Sequence, residues 1–134
     1  MKNSKKIIFG ALLAIFAFSN NITAQSKYAG TKTLEVYEEE FEKDGKVKKY
    51  KVLEVKYDQN GNIIEEIEYD NGKVSDKFEY TYDKDGKKIS ALKTESDGKQ
   101  ERFEYKYDDK NRRIEKSEYS MKGRLKKRKT YIYK

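Results

Sequence analysis

The fold of this chain is decided by one stretch, FEYTYDKDGKKI at residues 78–89, and by two related stretches that lie 25 residues before and after it. Every second side chain in its first half is apolar, namely Phe78, Tyr80 and Tyr82. Successive side chains of an extended strand point to opposite faces, so this alternation predicts a half-buried β-strand. The segment from Asp83 to Gly86 then predicts a tight turn, because Asp and Gly tolerate the backbone angles that tight turns require.

The pattern occurs three times with a spacing of 25 residues. The alternating runs are residues 53–57, 78–82 and 103–107, and each ends in a Tyr-Asp dipeptide followed by a turn and an isoleucine. A fixed period of this length indicates one supersecondary unit repeated along the chain. The residues that define the repeat are Tyr57, Asp58, Gly61, Tyr82, Asp83, Gly86, Tyr107, Asp108 and Asn111.

A second set of turns, at residues 44–45, 71–72, 97–98 and 122–123, gives each unit two strands and two turns. Counting between turns gives about eight strands, roughly 32–42, 46–57, 63–69, 73–82, 88–95, 99–107, 113–119 and 124–133. Connections this short predict antiparallel neighbours. We therefore expect an all-β, antiparallel up-and-down meander, either a curled single sheet or a closed barrel, with Tyr, Phe, Val and Ile on the buried face.

Residues 1–24 have the features of a cleaved secretory signal peptide. A basic start is followed by an apolar run from Ile7 to Phe18 and by the small residue Ala24, and the run is too short to span a membrane. Its helix would be removed before Gln25, which leaves residues 25–134 as a single hairpin-repeat domain without a transmembrane segment. We expect the mature protein in the periplasm, at the cell surface or in the medium.

Composition limits the chemistry that this chain can perform. It has no cysteine, histidine, proline or tryptophan, so disulfides, the commonest metal ligand and the usual general base are missing. The loops at Asp58 and Asp83 have oxygen ligands spaced as in calcium sites, but Lys87 stands where a further ligand is needed, which favours ordinary Asx turns. We expect no enzyme activity, no catalytic residues, no metal and no cofactor.

Charge is distributed unevenly along the repeat. The first strand is acidic, with Glu35 and four further glutamates up to Glu42, whereas the chain from Ser120 onward contains seven basic residues and no acid. Three explanations are open. The two edge strands pair and close a barrel, they join one molecule to the next, or their charges block aggregation.

Two surfaces are candidates for binding. The first is basic and carries neighbouring tyrosines that offer stacking surface. The second is the set of tyrosine rows, which either pack as a core or stack against sugar rings. Export argues against nucleic acid, so the partners we consider are an envelope protein, a surface polysaccharide or a second copy of the chain. The basic surface consists of Tyr119, Lys122, Arg124, Lys126, Lys127, Arg128, Lys129 and Tyr131.

Residues 80–89 and 105–114 resemble the YD repeat of the RHS family, in which Tyr-x-Tyr-Asp is followed by two residues, Gly, a polar residue and an aliphatic one. Residues 55–64 follow the pattern with Val in place of the first Tyr. The chain is also similar, less closely, to bacterial MORN-like repeats. The YD resemblance implies an exported β-hairpin repeat protein, although three units are too few to enclose a toxin as long family arrays do.

These features together predict a secreted, non-enzymatic sheet protein that presents a binding surface. Two alternatives remain at this point: a structural or adhesive element that assembles through its edge strands, and a small inhibitor-like partner of an envelope enzyme.

Overall fold

The computed structural model describes residues 28–30 and 32–134, so the signal peptide predicted over residues 1–24 lies outside the described residues. No described residue is helical, and this part of the chain therefore has no helix that could cross a membrane. The strand boundaries match the predicted ones to within one residue, except that β8 ends three residues early. The strands are β1 (Thr33–Phe41), β2 (Val47–Tyr57), β3 (Ile63–Asp70), β4 (Lys73–Tyr82), β5 (Lys88–Glu95), β6 (Gln100–Tyr107), β7 (Arg113–Ser120) and β8 (Leu125–Thr130).

The eight strands form one open antiparallel sheet in the order of the sequence, from β1 to β8. This confirms the predicted meander and selects the single sheet over the closed barrel. The acidic β1 does not meet the basic β8. Instead Glu39 of β1 lies opposite Lys49 of β2, and Lys127 of β8 lies opposite Glu118 of β7.

The two faces of the sheet differ in character because the alternation of the sequence is preserved in the strands. One face carries the repeated aromatic residues, and we call it the tyrosine face. The alternate positions, among them Lys56, Glu79 and Lys106, are exposed on the opposite side, which we call the charged face. The tyrosine face is built around Val55, Phe78, Tyr80, Ala91, Phe103 and Tyr105.

The charged face is held together by ion pairs between neighbouring strands. Glu65 of β3 accepts from Lys56 of β2 at 2.6 Å and from Lys77 of β4 at 3.0 Å. Glu115 of β7 lies 3.2 Å from Lys106 of β6. Each exposed pair contributes only a few tenths of a kcal/mol, roughly, but opposite charges at these positions also favour the observed register.

The Tyr-Asp turns are built as the sequence predicts. The Asp83 carboxylate accepts hydrogen bonds from the backbone N–H groups of Asp85 and Lys87, both at 2.9 Å, and Asp58 and Asp108 do the same in their own turns. Asn111 has a φ of 62°, so it adopts the left-handed conformation that glycine adopts in the other two turns. The aspartates therefore specify turns.

The tyrosines of the second and third Tyr-Asp dipeptides tie their units to the preceding ones. The Tyr82 hydroxyl donates to the carbonyl of Ile63 at 2.6 Å, and the Tyr107 hydroxyl donates to the carbonyl of Lys88 at 2.7 Å. Tyr133 makes the equivalent bond to the carbonyl of Arg113 at 2.7 Å. Tyr133 is therefore a fourth copy of the repeat tyrosine, although it is followed by Lys134 and not by an aspartate.

The buried core is thin because the sheet has one layer. Only Val55, Tyr57 and Ala91 are buried apolar residues in the described part of the chain. The expectation that the repeated isoleucines join this core is wrong for Ile64 and Ile89, which are 40% and 41% exposed. Each of these isoleucines is the one residue that has no partner on the neighbouring strand, because the register shifts there. The shift turns the isoleucine away from the tyrosine face.

We expect Tyr107→Phe to lower the free energy of unfolding by about 1 kcal/mol, because it removes the donor to the Lys88 carbonyl while keeping the ring. Urea denaturation followed by circular dichroism would measure the change. Tyr119→Phe is the matched control, since its hydroxyl bonds to no other described residue. Equal losses in both variants would contradict the structural role of the tyrosine bond.

Truncation after Met121 removes β8 and Tyr133 but leaves seven consecutive strands paired. In an open repeat array each strand contacts only its neighbours, so we expect a lower melting temperature with a cooperative transition retained. Thermal melts of the full and shortened chains would show this. Complete loss of the transition would mean that the sheet is stabilised as a closed unit.

Candidate binding face

The residues predicted as one basic surface are divided between the two faces and a turn. Lys122 and Arg124 flank the exposed turn between β7 and β8. Alternation along β8 then places Lys127 and Lys129 on the tyrosine face and Arg128 on the charged face. A ligand that lies flat on one face therefore meets only part of this set.

Acidic and polar side chains already engage part of this basic stretch. Lys126 forms ion pairs with Glu101 and, at 3.1 Å, with Glu118. The Arg128 Nε lies 3.1 Å from the Ser117 hydroxyl and 3.5 Å from a carboxylate oxygen of Glu115.

The two tyrosines of the predicted surface are also engaged within the sheet. The Tyr119 ring lies 5.1 Å from the Arg102 guanidinium carbon. Tyr131 is half-buried, and its backbone N–H donates to the carbonyl of Ile114 at 3.0 Å. The structure does not bring the eight predicted residues together into one site.

A different set of cations lies across the tyrosine face, each over an aromatic ring. The Lys88 ammonium is 3.6 Å from the centre of the Tyr80 ring, and the Arg113 guanidinium carbon is 4.7 Å from that of Tyr105. The Lys116 ammonium lies 4.7 Å from the centre of the Phe103 ring. Cations in this position are attracted by the negative face of the ring, and their methylene stems cover it from water.

These three cations differ from the lysines of the charged face in having no carboxylate partner. None of Lys88, Arg113 and Lys116 forms an ion pair with another residue in the described part of the chain, and the buried Nε of Arg113 has no hydrogen-bond acceptor there. A buried guanidinium nitrogen without an acceptor is costly. We call Lys88, Arg113 and Lys116 the cation row.

Burial makes the positive charge of the row costly. Burial lowers the pKa of Lys88 to about 8. The negative charge of Glu66 opposes this shift, and the positive charges of Arg113 and Lys116 add to it. Burial also lowers the pKa of Lys116, and the neighbouring Lys129 and Arg113 charges act in the same direction. The cation row is therefore a set of mutually repelling, partly desolvated charges.

The row continues toward β8 in a shallow depression lined by Lys116, Glu118, Lys127 and Lys129. Of the predicted binding residues, Lys127 and Lys129 are thus the two that the structure places beside the cation row. Neither forms an ion pair with another described residue, so the basic end of the tyrosine face extends from β5 to β8.

The opposite end of the tyrosine face is acidic. Glu66 of β3 accepts a hydrogen bond from the Tyr80 hydroxyl. Burial raises the pKa of the neighbouring Glu68, and the charges of Asp76 and Glu66 raise it further. The described residues nevertheless contain no group of three or more acidic side chains arranged to hold a metal ion.

The sequence alone does not predict the cation row, although two of its residues follow the repeat. Lys88 and Arg113 occupy the same place in successive units, 25 residues apart and directly before the repeated isoleucine. Alternation from the adjacent Ile89 and Ile114, which the sequence predicts on the buried face, would place them on the opposite face. The register shift beside each residue decides the orientation, and that shift is visible only in the structure.

No protein-family model matches this chain, and no curated protein is significantly similar to it in sequence.

Lys88→Met should stabilise the protein by about 1 kcal/mol at pH 7, because it keeps the stem over Tyr80 and removes a partly desolvated charge. The folded-state pKa of Lys88 lies below its unfolded value of 10.5, so its charge destabilises the fold below about pH 8. Between pH 8 and pH 10.5 the unfolded chain binds more protons than the folded one, so the free energy of unfolding of the wild type rises with pH. The advantage of Lys88→Met should therefore shrink from pH 8 to pH 10.5.

Urea denaturation at a series of pH values would measure this advantage as the difference between wild type and variant, which cancels the titration of the tyrosines. Lys84→Met, in an exposed turn, is the control and should show a small difference that does not depend on pH. A constant difference for Lys88→Met would contradict the desolvation of its ammonium.

Proposed function

We propose that this chain is an exported, non-enzymatic, YD-repeat-like sheet protein whose tyrosine face binds an acidic polysaccharide of the cell envelope or surface. The observation that carries the proposal is the cation row. Three positive side chains lie over aromatic rings on one face and lack carboxylate partners among the described residues. Carboxylate or sulfate groups of a polymer would supply those partners.

The shape of the face favours a linear polymer over a compact ligand. Neighbouring strands of a sheet are about 4.8 Å apart, so Lys88 on β5 and Arg113 on β7 project roughly 10 Å from each other. Lys116 and Lys129 continue the positive charge toward the sheet edge. An extended chain of acidic sugars can meet all of these charges in turn on an open surface.

The features of residues 1–24 support export, and the composition supports a role without catalysis. Acidic polymers are abundant outside the inner membrane, where a protein with this leader would encounter them. The rows of half-buried tyrosine rings also offer apolar surface between the charges, against which sugar rings can pack.

Binding can be tested with polygalacturonate as the probe and neutral dextran as the comparison polymer, by isothermal titration calorimetry at low salt. We expect polygalacturonate to bind, dextran not to bind, and affinity to fall as salt is added because the contacts are ionic. Arg113→Gln combined with Lys116→Gln should weaken binding by about tenfold or more, since each charge-assisted bond contributes roughly 1.5 kcal/mol.

The matched control is Lys99→Gln combined with Lys110→Gln, which removes the same charge from two exposed turns. This control should bind almost as wild type does. If both double variants lose affinity equally, binding follows net charge and the cation row is not the site. If dextran and polygalacturonate bind alike, the proposal of an acidic ligand is wrong.

A further inference from the structure

Both edges of the sheet are open. The strand order runs from β1 to β8 without closure, so β1 and β8 each have a hydrogen-bonded neighbour on one side only among the described residues. An open edge exposes a row of backbone N–H and C=O groups that can pair with another strand.

The two edges carry opposite charge. β1 has the sequence TLEVYEEEF, with four glutamates and no basic residue. β8 has the sequence LKKRKT, with four basic residues and no acid. Like charges therefore oppose pairing of β1 with β1 or of β8 with β8, whereas β8 beside β1 brings opposite charges together.

The direction of the strands also suits a junction of β8 with β1. The sheet contains eight antiparallel strands, an even number, so β1 and β8 run in opposite directions. A second copy placed in line with the first, with its tyrosine face on the same side, would present β1 antiparallel to β8. The junction would continue the alternation found within each copy.

The repeat itself specifies the register of such a junction. Between units, the residue before the repeat tyrosine pairs with a residue nine positions later: Lys56 with Glu65, and Lys106 with Glu115. Ile132 stands before Tyr133, the fourth repeat tyrosine, and is the equivalent residue on the outgoing strand.

The equivalent residue on the incoming strand is Glu35. Its equivalence follows from the pairing within hairpins. Glu115 pairs with Thr130, which lies two residues before Ile132. Glu35 pairs in the same way with Glu54, which lies two residues before Lys56. The register of the repeat would therefore place Ile132 of one copy opposite Glu35 of the next.

Counting along the two antiparallel strands from this pair gives three opposed ion pairs. They are Lys129 with Glu38, Arg128 with Glu39 and Lys127 with Glu40. The faces also match across the junction. Glu38 and Glu40 lie beside Tyr50 on the tyrosine face, and Lys127 and Lys129 lie on the same face beside Lys116. Neither of these glutamates forms an ion pair with another residue in the part of the chain that the structure describes.

We propose that copies of this chain join edge to edge, β8 of one beside β1 of the next, and extend one continuous sheet in the register of the repeat. The contact is heterologous and does not close on itself, so it generates chains of molecules. The junction leaves Lys88, Arg113 and Lys116 free, and of the charges proposed to meet the polysaccharide it engages Lys129 alone.

Sedimentation velocity of the mature wild-type protein, at about 50 mM and about 500 mM salt, is the first test. We expect concentration-dependent association at low salt that weakens at high salt, because screening shortens the reach of the edge charges. A protein that stays monomeric at low salt and high concentration would overturn the proposal and would mean that the charged edges only block aggregation.

Charge reversal tests the partner strands. K127E/K129E places glutamates opposite Glu40 and Glu38, and E38K/E40K places lysines opposite Lys129 and Lys127, so each variant alone should be monomeric. An equimolar mixture should assemble again, since each reversed edge then meets its complement. K110E/K122E changes the same charge in exposed turns and should associate as wild type does. Failure of the mixture to assemble would contradict pairing of β8 with β1.

Cysteine cross-linking tests the register, and the chain contains no natural cysteine that could interfere. Arg128→Cys combined with Glu39→Cys places two thiols opposite each other across the junction, at a distance that suits a disulfide. Oxidation should give a ladder of dimers, trimers and longer species on a non-reducing gel. Arg128→Cys combined with Phe41→Cys is the out-of-register control, and an equal ladder from it would overturn the proposed register.

Discussion

Long cationic side chains lie over aromatic rings on the tyrosine face, and the rest of the sheet depends on this contact. A single layer has no second sheet or helix to cover its apolar side, so cover must come from the same strands. Lys88 over Tyr80, Arg113 over Tyr105 and Lys116 over Phe103 supply it with methylene stems. The charges at the ends of those stems remain partly exposed, and the face that stabilises the sheet is therefore also able to bind anions.

Much of the architecture could be predicted from the sequence because its determinants are local. Alternation defines the strands, and the aspartate of each Tyr-Asp dipeptide, with a residue that tolerates positive φ, defines the turn. The position of Lys88 and Arg113 could not be predicted in this way, because one skipped residue at the register shift changes the face on which a side chain lies. Closure could not be decided either, since the charges of β1 and β8 are compatible with pairing within a molecule, pairing between molecules or no pairing.

The two faces use charge in different ways. On the charged face, acids and bases alternate across neighbouring strands, and Glu65 bridges lysines of both β2 and β4. On the tyrosine face, Glu66 and Glu68 lie on β3, whereas the cations that lack an ion-pair partner among the described residues lie on β5, β7 and β8. Glu101 and Glu118 also lie at this basic end, where they pair with Lys126, so unpaired positive charge collects on one side of the sheet. The first arrangement favours one register between strands, and the second gives the molecule a polar axis that runs from one edge to the other.

The tyrosine bonds between units have a mechanical consequence. Apart from the ion pair between Lys126 of β8 and Glu101 of β6, each strand contacts only the strands beside it, and the hydroxyls of Tyr82, Tyr107 and Tyr133 reach back only to the preceding unit. A pulling force applied to the two edge strands would pass in series through every pair of neighbouring strands, and the weakest pair would separate first. The mechanical strength of the sheet is therefore set by its weakest pair of strands and not by its length.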